Sequence, residues 1–254
     1  MQLLFDELNR AELRALAPGA LVVLPVGATE QHGPHLPVGT DRMIVEHIAR
    51  AAAAEAAATI PVLVAPTLPF GSSHHHVPFG GTLSLGTETY YRALIDLAET
   101  LIASGFRQIF ILNGHGGNNE LIQLVARDLA LKHDASLAAA PYWTIAWDAL
   151  VAEGAHIAAG LPGHAGTFET SLVLALRPDL VREPRPHRDG QADSDPRGGS
   201  PYRAERHGSW QQIEGYTDSP DQADAPRGQR YLAAIIREVA RALREFHQPA
   251  PPDA

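Results

Sequence analysis

The chain has 254 residues, 45% hydrophobic and 19% charged, enough to bury a sizeable core as one large domain or two small ones. A net charge of −9, no basic cluster and a single lysine, Lys132, argue against a nucleic-acid partner and nearly exclude lysine-dependent chemistry, while the absence of cysteine removes disulfides, thiolate metal sites and a cysteine nucleophile. No apolar run approaches the roughly 18 residues of a membrane helix, and residues 1–10, with Asp6 and Glu7, lack the basic start and apolar core of a signal peptide, so no membrane partner and a cytoplasmic location are expected.

Apolar runs of strand length alternate with longer amphipathic segments. Leu21 to Val26 reads as a strand and Asp41 to Ala57 as an Ala-rich helix. Pro61 to Pro66 is a second strand, followed over 68–86 by a long loop of Gly, Ser, His and Pro. Thr87 to Ser104 reads as a helix with Thr87 as N-cap and Gly105 as C-cap. Gln108 to Leu112 is a third strand, Glu120 to His133 a helix and Leu137 to Tyr142 a fourth strand. A short helix lies within 163–176 and the last runs from Arg227 to Phe246. This alternation predicts an α/β layered fold with a mostly parallel sheet. Residues 177–227 are rich in Pro, Gly, Asp and Arg and read as an irregular excursion, an oligomer contact or a lid. No linker or repeat divides the chain, so a single domain over 1–254 is expected.

In open α/β sheets ligands gather at the carboxyl ends of parallel strands. The loops after three predicted strands carry the reactive side chains: 30–41, 71–81 and 113–118. Glu30 and His32 are two apart in an extended segment and point the same way, and Asp41 returns after Gly39 and Thr40. His115 sits in a glycine-lined loop, and Glu169 on the short helix. Each has a plainer reading: Glu30 as a surface turn residue, His115 as part of a structural turn, Asp41 as a helix cap and Glu169 as a first-turn acid. Together, carboxylates and imidazoles without thiolates suit Zn, Mn or Fe. Three carboxylates and two histidines are too many for one open site but suit two metals sharing a carboxylate. The His74-His75-His76 tract reads mainly as loop surface, with one ring lining the cleft. The 113–118 loop lacks the spacing of a dinucleotide site, and no Gly-x-Ser-x-Gly elbow is present.

The residues carry a resemblance. Pro25-Val26-Gly27-Ala28-Thr29-Glu30-Gln31-His32-Gly33-Pro34-His35-Leu36-Pro37 with Thr40-Asp41 is similar to the creatininase family of metal-dependent amidohydrolases. So are Phe70 to His74, Gly80 to Ser84, Asn113 to Asn118, and His164-Ala165-Gly166 with Glu169-Thr170-Ser171. The resemblance spans nearly the whole chain. It implies a three-layer α/β/α fold with a mostly parallel central sheet, two divalent metal ions per subunit and a homo-hexamer. It further implies that Glu30 and His115 hold one metal and His32 the other, with Asp41 bridging. His164 matches the family's catalytic histidine, which passes a proton to the departing nitrogen. Ser73 and His74 match a loop that faces substrate.

Creatinine-opening members carry a tyrosine and a metal-binding glutamate directly after the histidine matched by His115. Here those substrate-side positions are Gly116 and Gly117, so Glu169 becomes the candidate for the missing ligand. The expected activity is hydrolysis of the C–N bond of a small amide or cyclic amide by metal-activated water. The formamide-hydrolysing and mycofactocin-type peptidase branches are alternatives, as is a catalytically silent metal-binding protein.

Overall fold

The computed structural model describes residues 4–155, 161–188 and 206–247. Four strands, β1 (Leu21–Val26), β2 (Val62–Val64), β3 (Gln108–Asn113) and β4 (Ser136–Pro141), form one sheet in the order β2-β1-β3-β4. All pairs are parallel, with Leu21 opposite Val62 and Gln108, and Gln108 opposite Ser136. β1 and β3 are buried throughout because both sheet faces are covered, which is why their sequences read as continuous apolar runs.

The period of two divides each strand between two cores. Leu21, Val23, Phe110 and Leu112 join one core with helices α2 (Thr40–Ala56), α7 (Thr167–Leu176) and α9 (Ala225–Phe246). The short helices α5 (Tyr142–Ile145) and α6 (Trp147–Ala152) pack on that face too. Val22, Leu24, Val26, Ile109 and Ile111 join the other core with α3 (Thr87–Ala103) and α4 (Asn119–Lys132). Helix α1 (Arg10–Leu16), closed by a capping box from Asn9 and Glu12, packs Leu13 and Leu16 there. The three-layer α/β/α arrangement agrees with the expected class.

Two local expectations change. Thr87 is the first helical residue of α3, and the cap position is Gly86, whose extended φ of −60° and ψ of 149° start the helix without a side-chain bond. Gly105, with φ +102°, lies one residue beyond the cap residue Ser104. In the expected excursion, residues 189–205 lie outside the described residues. Among the rest are a turn at Pro178–Leu180, helix α8 (Ser209–Gln212) and a turn at Pro220–Gln222.

β1 leads through α2 on one face to β2, and β2 leads through α3 on the other face to β3. The chain therefore reverses direction across the sheet between β1 and β3, opening a crevice at their carboxyl ends. Two glycines let α2 lie against it. A Cβ on Gly27 would stand 2.9 Å from Arg42 N, and one on Gly114 would stand 2.7 Å from Val45 Cβ. The first turn of α2, and with it Asp41, is thereby drawn against both strand ends.

Candidate metal centre and active site

Three loops are tied together by asparagines at this crevice. Asn118 Nδ2 donates to Gly27 O after β1 (3.2 Å), and its Oδ1 accepts from Ser72 N in the histidine loop (3.0 Å). Asn113 Oδ1 accepts from His115 N (3.0 Å), while its Nδ2 donates to His115 O (2.6 Å). The glycine-rich loop is thus a fixed frame for the His115 ring.

Glu30, His32, Asp41, His115, His164 and Glu169 are all buried and meet there. Asp41 stands in the middle: Oδ1 lies 2.9 Å from His32 Nε2 and Oδ2 lies 3.1 Å from His115 Nδ1. His115 Nδ1 is also 3.1 Å from Glu30 Oε1. On the other side, His32 Nε2 is 3.8 Å from Glu169 Oε2. Asp41 does not cap α2, whose cap position is Gly39. Glu169 combines two roles, since its Oε2 also accepts from Ala165 N (2.6 Å) just before α7.

Main-chain and hydroxyl groups set which ring nitrogen faces inward. His32 Nδ1–H donates to Glu30 O (3.1 Å), leaving the Nε2 lone pair toward Asp41 and Glu169. His115 Nε2 lies 3.2 Å from both Ser72 O and Ser73 Oγ, leaving Nδ1 toward Glu30 and Asp41. Fixing the outer nitrogen in this way is how proteins orient histidine ligands. Meanwhile Glu30 Oε1, Glu30 Oε2 and Asp41 Oδ2 are buried without a well-aligned hydrogen bond, Oε1 and Oδ2 sharing the single His115 Nδ1 at 3.1 Å. Orphaned buried carboxylate oxygens are costly unless a cation meets them. The donor set therefore fits divalent metal ions. Three groups of metal-capable atoms occur among the described residues: Glu30 with His75 and His115, Glu30 with His32 and His164, and His32 with Asp41 and Glu169.

The electrostatics have the same origin. Burial alone would lower the His32 pKa, but the charge and hydrogen bond of Asp41, with Glu169 and Glu30, push it up to about 10. His115 is likewise held well above the ordinary value, Glu30 and Asp41 outweighing its burial. Burial, opposed by His32, lifts Glu169 to about 8, helped by Asp41 and Glu30. Asp41 is depressed because His32 and His115 outweigh its burial. These protons occupy the places that cations would take.

His164 is placed differently. Its Nε2–H donates to Gln31 O (2.9 Å) and its Nδ1 stands 3.6 Å from Glu30 Oε1. Burial and the neighbouring His32 and His76 hold its pKa well below the ordinary value, so the ring is neutral and presents a bare nitrogen. Thr217 fixes its backbone, accepting from His164 N through Oγ1 (3.0 Å) and donating Thr217 N–H to His164 O (3.0 Å). Asp218 Oδ1 accepts from Thr167 N and Thr167 Oγ1 (both 2.6 Å), supplying the cap that Gly166 cannot. His35 Nε2, 2.9 Å from Thr170 Oγ1, ties the first loop to α7.

The remaining candidates lie around this cluster. Ser73 is buried behind His115, while His74 is exposed with Nδ1 2.8 Å from Ser84 Oγ. Gly116 is exposed, with nothing within 4 Å of a built Cβ. Gly117 is hemmed in: a Cβ there would stand 2.3 Å from Ser72 O and 2.6 Å from His115 Nε2. Sequence reasoning assigned no individual role to three participants. His76 is buried with its ring stacked on His164, Gln31 meets both rings, His76 through its side-chain Nε2 and His164 through its main-chain O, and Trp210 of α8 lies against His75, His76 and His164. The run of three histidines signalled His76, whereas no local pattern signals Trp210, which arrives from 134 positions beyond it.

Comparison with known proteins bears on this arrangement. The model of the creatininase family, described as creatinine amidohydrolase, matches residues 6–243. The mycofactocin precursor peptide peptidase of Mycobacterium tuberculosis is 34% identical over 242 residues, covering 90% of this chain and 86% of that protein. The creatinine amidohydrolase of Pseudomonas putida is 30% identical over 256 residues, covering 94% of each. A manganese creatininase structure superposes with a TM-score of 0.81 at 28% identity, covering 98% of this chain and 100% of that one. A creatininase variant of Zn–Zn type gives 0.81 at 27% identity over the same shares. The chain belongs to the creatininase family of amidohydrolases.

Proposed function

We propose that this chain hydrolyses the C–N bond of a small amide or cyclic amide, using two divalent metal ions held by Glu30, His32, Asp41, His115 and Glu169. The observation that carries this reading is the divided carboxylate of Asp41, one oxygen facing His32 and the other His115. Glu30 and His115 would hold one ion, His32 and Glu169 the other, with Asp41 between them. Metal-bearing creatininase structures of the same fold support the reading. When bound, zinc, manganese or iron would acidify water and polarise the amide carbonyl.

The chain's own residues supply the remaining work. His164 is neutral, with Nδ1 turned into the site, so it can take a proton as water attacks and return it to the departing nitrogen. Gln31 O holds the ring for both steps by accepting Nε2–H. Burial of the whole group excludes bulk water and strengthens each of these contacts. The single-domain reading and a homo-hexamer accompany this proposal as the architecture expected of the family.

A second reading, cleavage of a short peptide, has its own support. Gly116 leaves open space beside His115, and the mycobacterial peptide peptidase is 34% identical. An activity screen of the zinc-, manganese- and iron-supplemented protein over creatinine, cyclic imides, formamides and short peptides tests both. Turnover of the small amides supports the first reading, turnover of peptides alone the second. A metal-loaded protein inert across the panel contradicts both.

A further inference from the structure

His76 is buried against the cluster yet, like His35, belongs to none of the metal-capable groups among the described residues. Its ring lies face to face with His164, centroids 4.1 Å apart at 16°, and edge-on to Trp210 at 4.6 Å. That packing sets the plane of the ring. Its Nε2 points to the centre, 3.8 Å from Glu30 Oε1, the oxygen that also faces His115 Nδ1 and His164 Nδ1.

The proton on that nitrogen is fixed by Gln31. The Gln31 amide has no freedom to flip: Oε1 accepts from Gly33 N (2.9 Å) and Nε2 donates to Gly215 O (2.9 Å). Nε2 carries two hydrogens; of its two other neighbours, His164 Nε2 (3.1 Å) directs its own hydrogen to Gln31 O and accepts nothing, so the second reaches His76 Nδ1 (2.9 Å). His76 Nδ1 is therefore the acceptor, and the ring's one N–H is on Nε2, aimed into the site. His164, whose Nε2–H is taken by Gln31 O, shows the opposite face, a bare Nδ1. One glutamine thus presents two stacked rings as a complementary pair, a donor beside an acceptor. A nitrogen bearing hydrogen cannot ligate a metal, but it can bind an oxygen that gains negative charge.

We propose that His76 is a further catalytic residue, which meets the substrate carbonyl oxygen through Nε2–H and keeps its proton through the reaction. This rests on the amide-hydrolase reading. The ring adds a preorganised donor where the carbonyl oxygen becomes negative, a contact that strengthens in the transition state, and no proton or electron is transferred to or from it. His76→Phe preserves the stacking surface and removes the donor, whereas His76→Gln preserves a donor.

Two measurements on the zinc-loaded protein test this. Long-range proton–nitrogen NMR of the unaltered protein should show His76 with its proton on Nε2; a proton on Nδ1 overturns the assignment, and this readout needs neither turnover nor a folded variant. In steady-state kinetics on whichever panel amide is cleaved, H76F should lose about 10²-fold in kcat with KM little changed, and H76Q should recover about tenfold. Zinc content should match the unaltered protein in both. An H76F enzyme with undiminished kcat, or one that loses zinc, overturns the inference while leaving the hydrolase reading intact. An unaltered protein inert on the whole panel overturns the hydrolase reading and this inference with it.

Discussion

Gly117 offers a sharp test because restoring side-chain bulk there should remove metal rather than add a ligand. In Gly117→Ala the new Cβ would stand 2.3 Å from Ser72 O and 2.6 Å from His115 Nε2, so the two loops must part by roughly 1 Å to reach ordinary contact. The Ser72 carbonyl is the group that accepts, with Ser73 Oγ, on the outer side of His115. Overpacking costs about 1–3 kcal/mol and the lost hydrogen bond about 1 kcal/mol more. For a chain of this length that total lowers Tm by about 5–15 °C. Loss of the outer contact should weaken metal binding by about 10–100-fold. Scanning calorimetry and zinc competition against a chelator measure the two effects. Gly117→Glu should behave at least as badly, although it introduces a carboxylate. A Gly117→Ala protein with unchanged Tm and zinc affinity would refute the reasoning, as would a Gly117→Glu protein that binds zinc more tightly.

Other expectations follow from the same geometry. His164→Ala should retain its metal, since the surrounding ligands are untouched, and lose about 10²–10⁴-fold in kcat; elemental analysis beside kinetics checks the separation, and parallel loss of metal would make His164 a ligand instead. Stability of the metal-free protein should fall as pH rises from 7 to 9. His32, raised to about 10, and His115, also raised, stabilise the fold fully below pH 6.5 and lose that contribution as pH climbs through their folded values. Glu169, raised to about 8, is lost in the same direction. The slope is about 1.4 kcal/mol per pH unit for each proton retained, and urea denaturation at each pH measures it. The lowered histidines His35, His76 and His164 are neutral in the fold and lose their last protons in the unfolded chain just above pH 7, so they offset the fall only at the start of that window; a rising stability from pH 8 to 9 contradicts the assignment. Gly228→Val should unfold α9 from α7, because even a Cβ there would stand 1.8 Å from Ser171 O; a wild-type melting curve would contradict the close helix contact.

The layered fold was legible because β1 and β3 are buried on both faces and therefore carry unbroken apolar runs, and because α2, α3, α4 and α9 repeat apolar residues at helical spacing. Short helices were not. α5, α6 and α8 span four to six residues, too few to establish a period, and tertiary packing rather than propensity holds them. The cluster of Glu30, His32, Asp41 and His115 could be read from strand-end position, which parallel topology turns into spatial proximity. Glu169 could be named as a carboxylate candidate on the short helix, but His164 needed the family resemblance, since α7 and the segment before it reach the crevice through contacts with Thr217, Asp218 and His35 that no local pattern encodes. Ser73 shows a related limit: the resemblance implies a substrate-facing loop, and the contact of its hydroxyl with His115 Nε2 (3.2 Å) has no local sequence signal. Gln31 is hidden for another reason, because its importance lies in which of its two amide ends each backbone group fixes.

Counting metal directly tests the central claim. After reconstitution with zinc, elemental analysis of the unaltered protein should give about two ions per chain. Glu169→Ala should hold about one, since Glu30, Asp41 and His115 remain, and Asp41→Ala should hold fewer than one, since both positions share that carboxylate. One ion in the unaltered protein, or two in Asp41→Ala, would contradict a centre divided by Asp41.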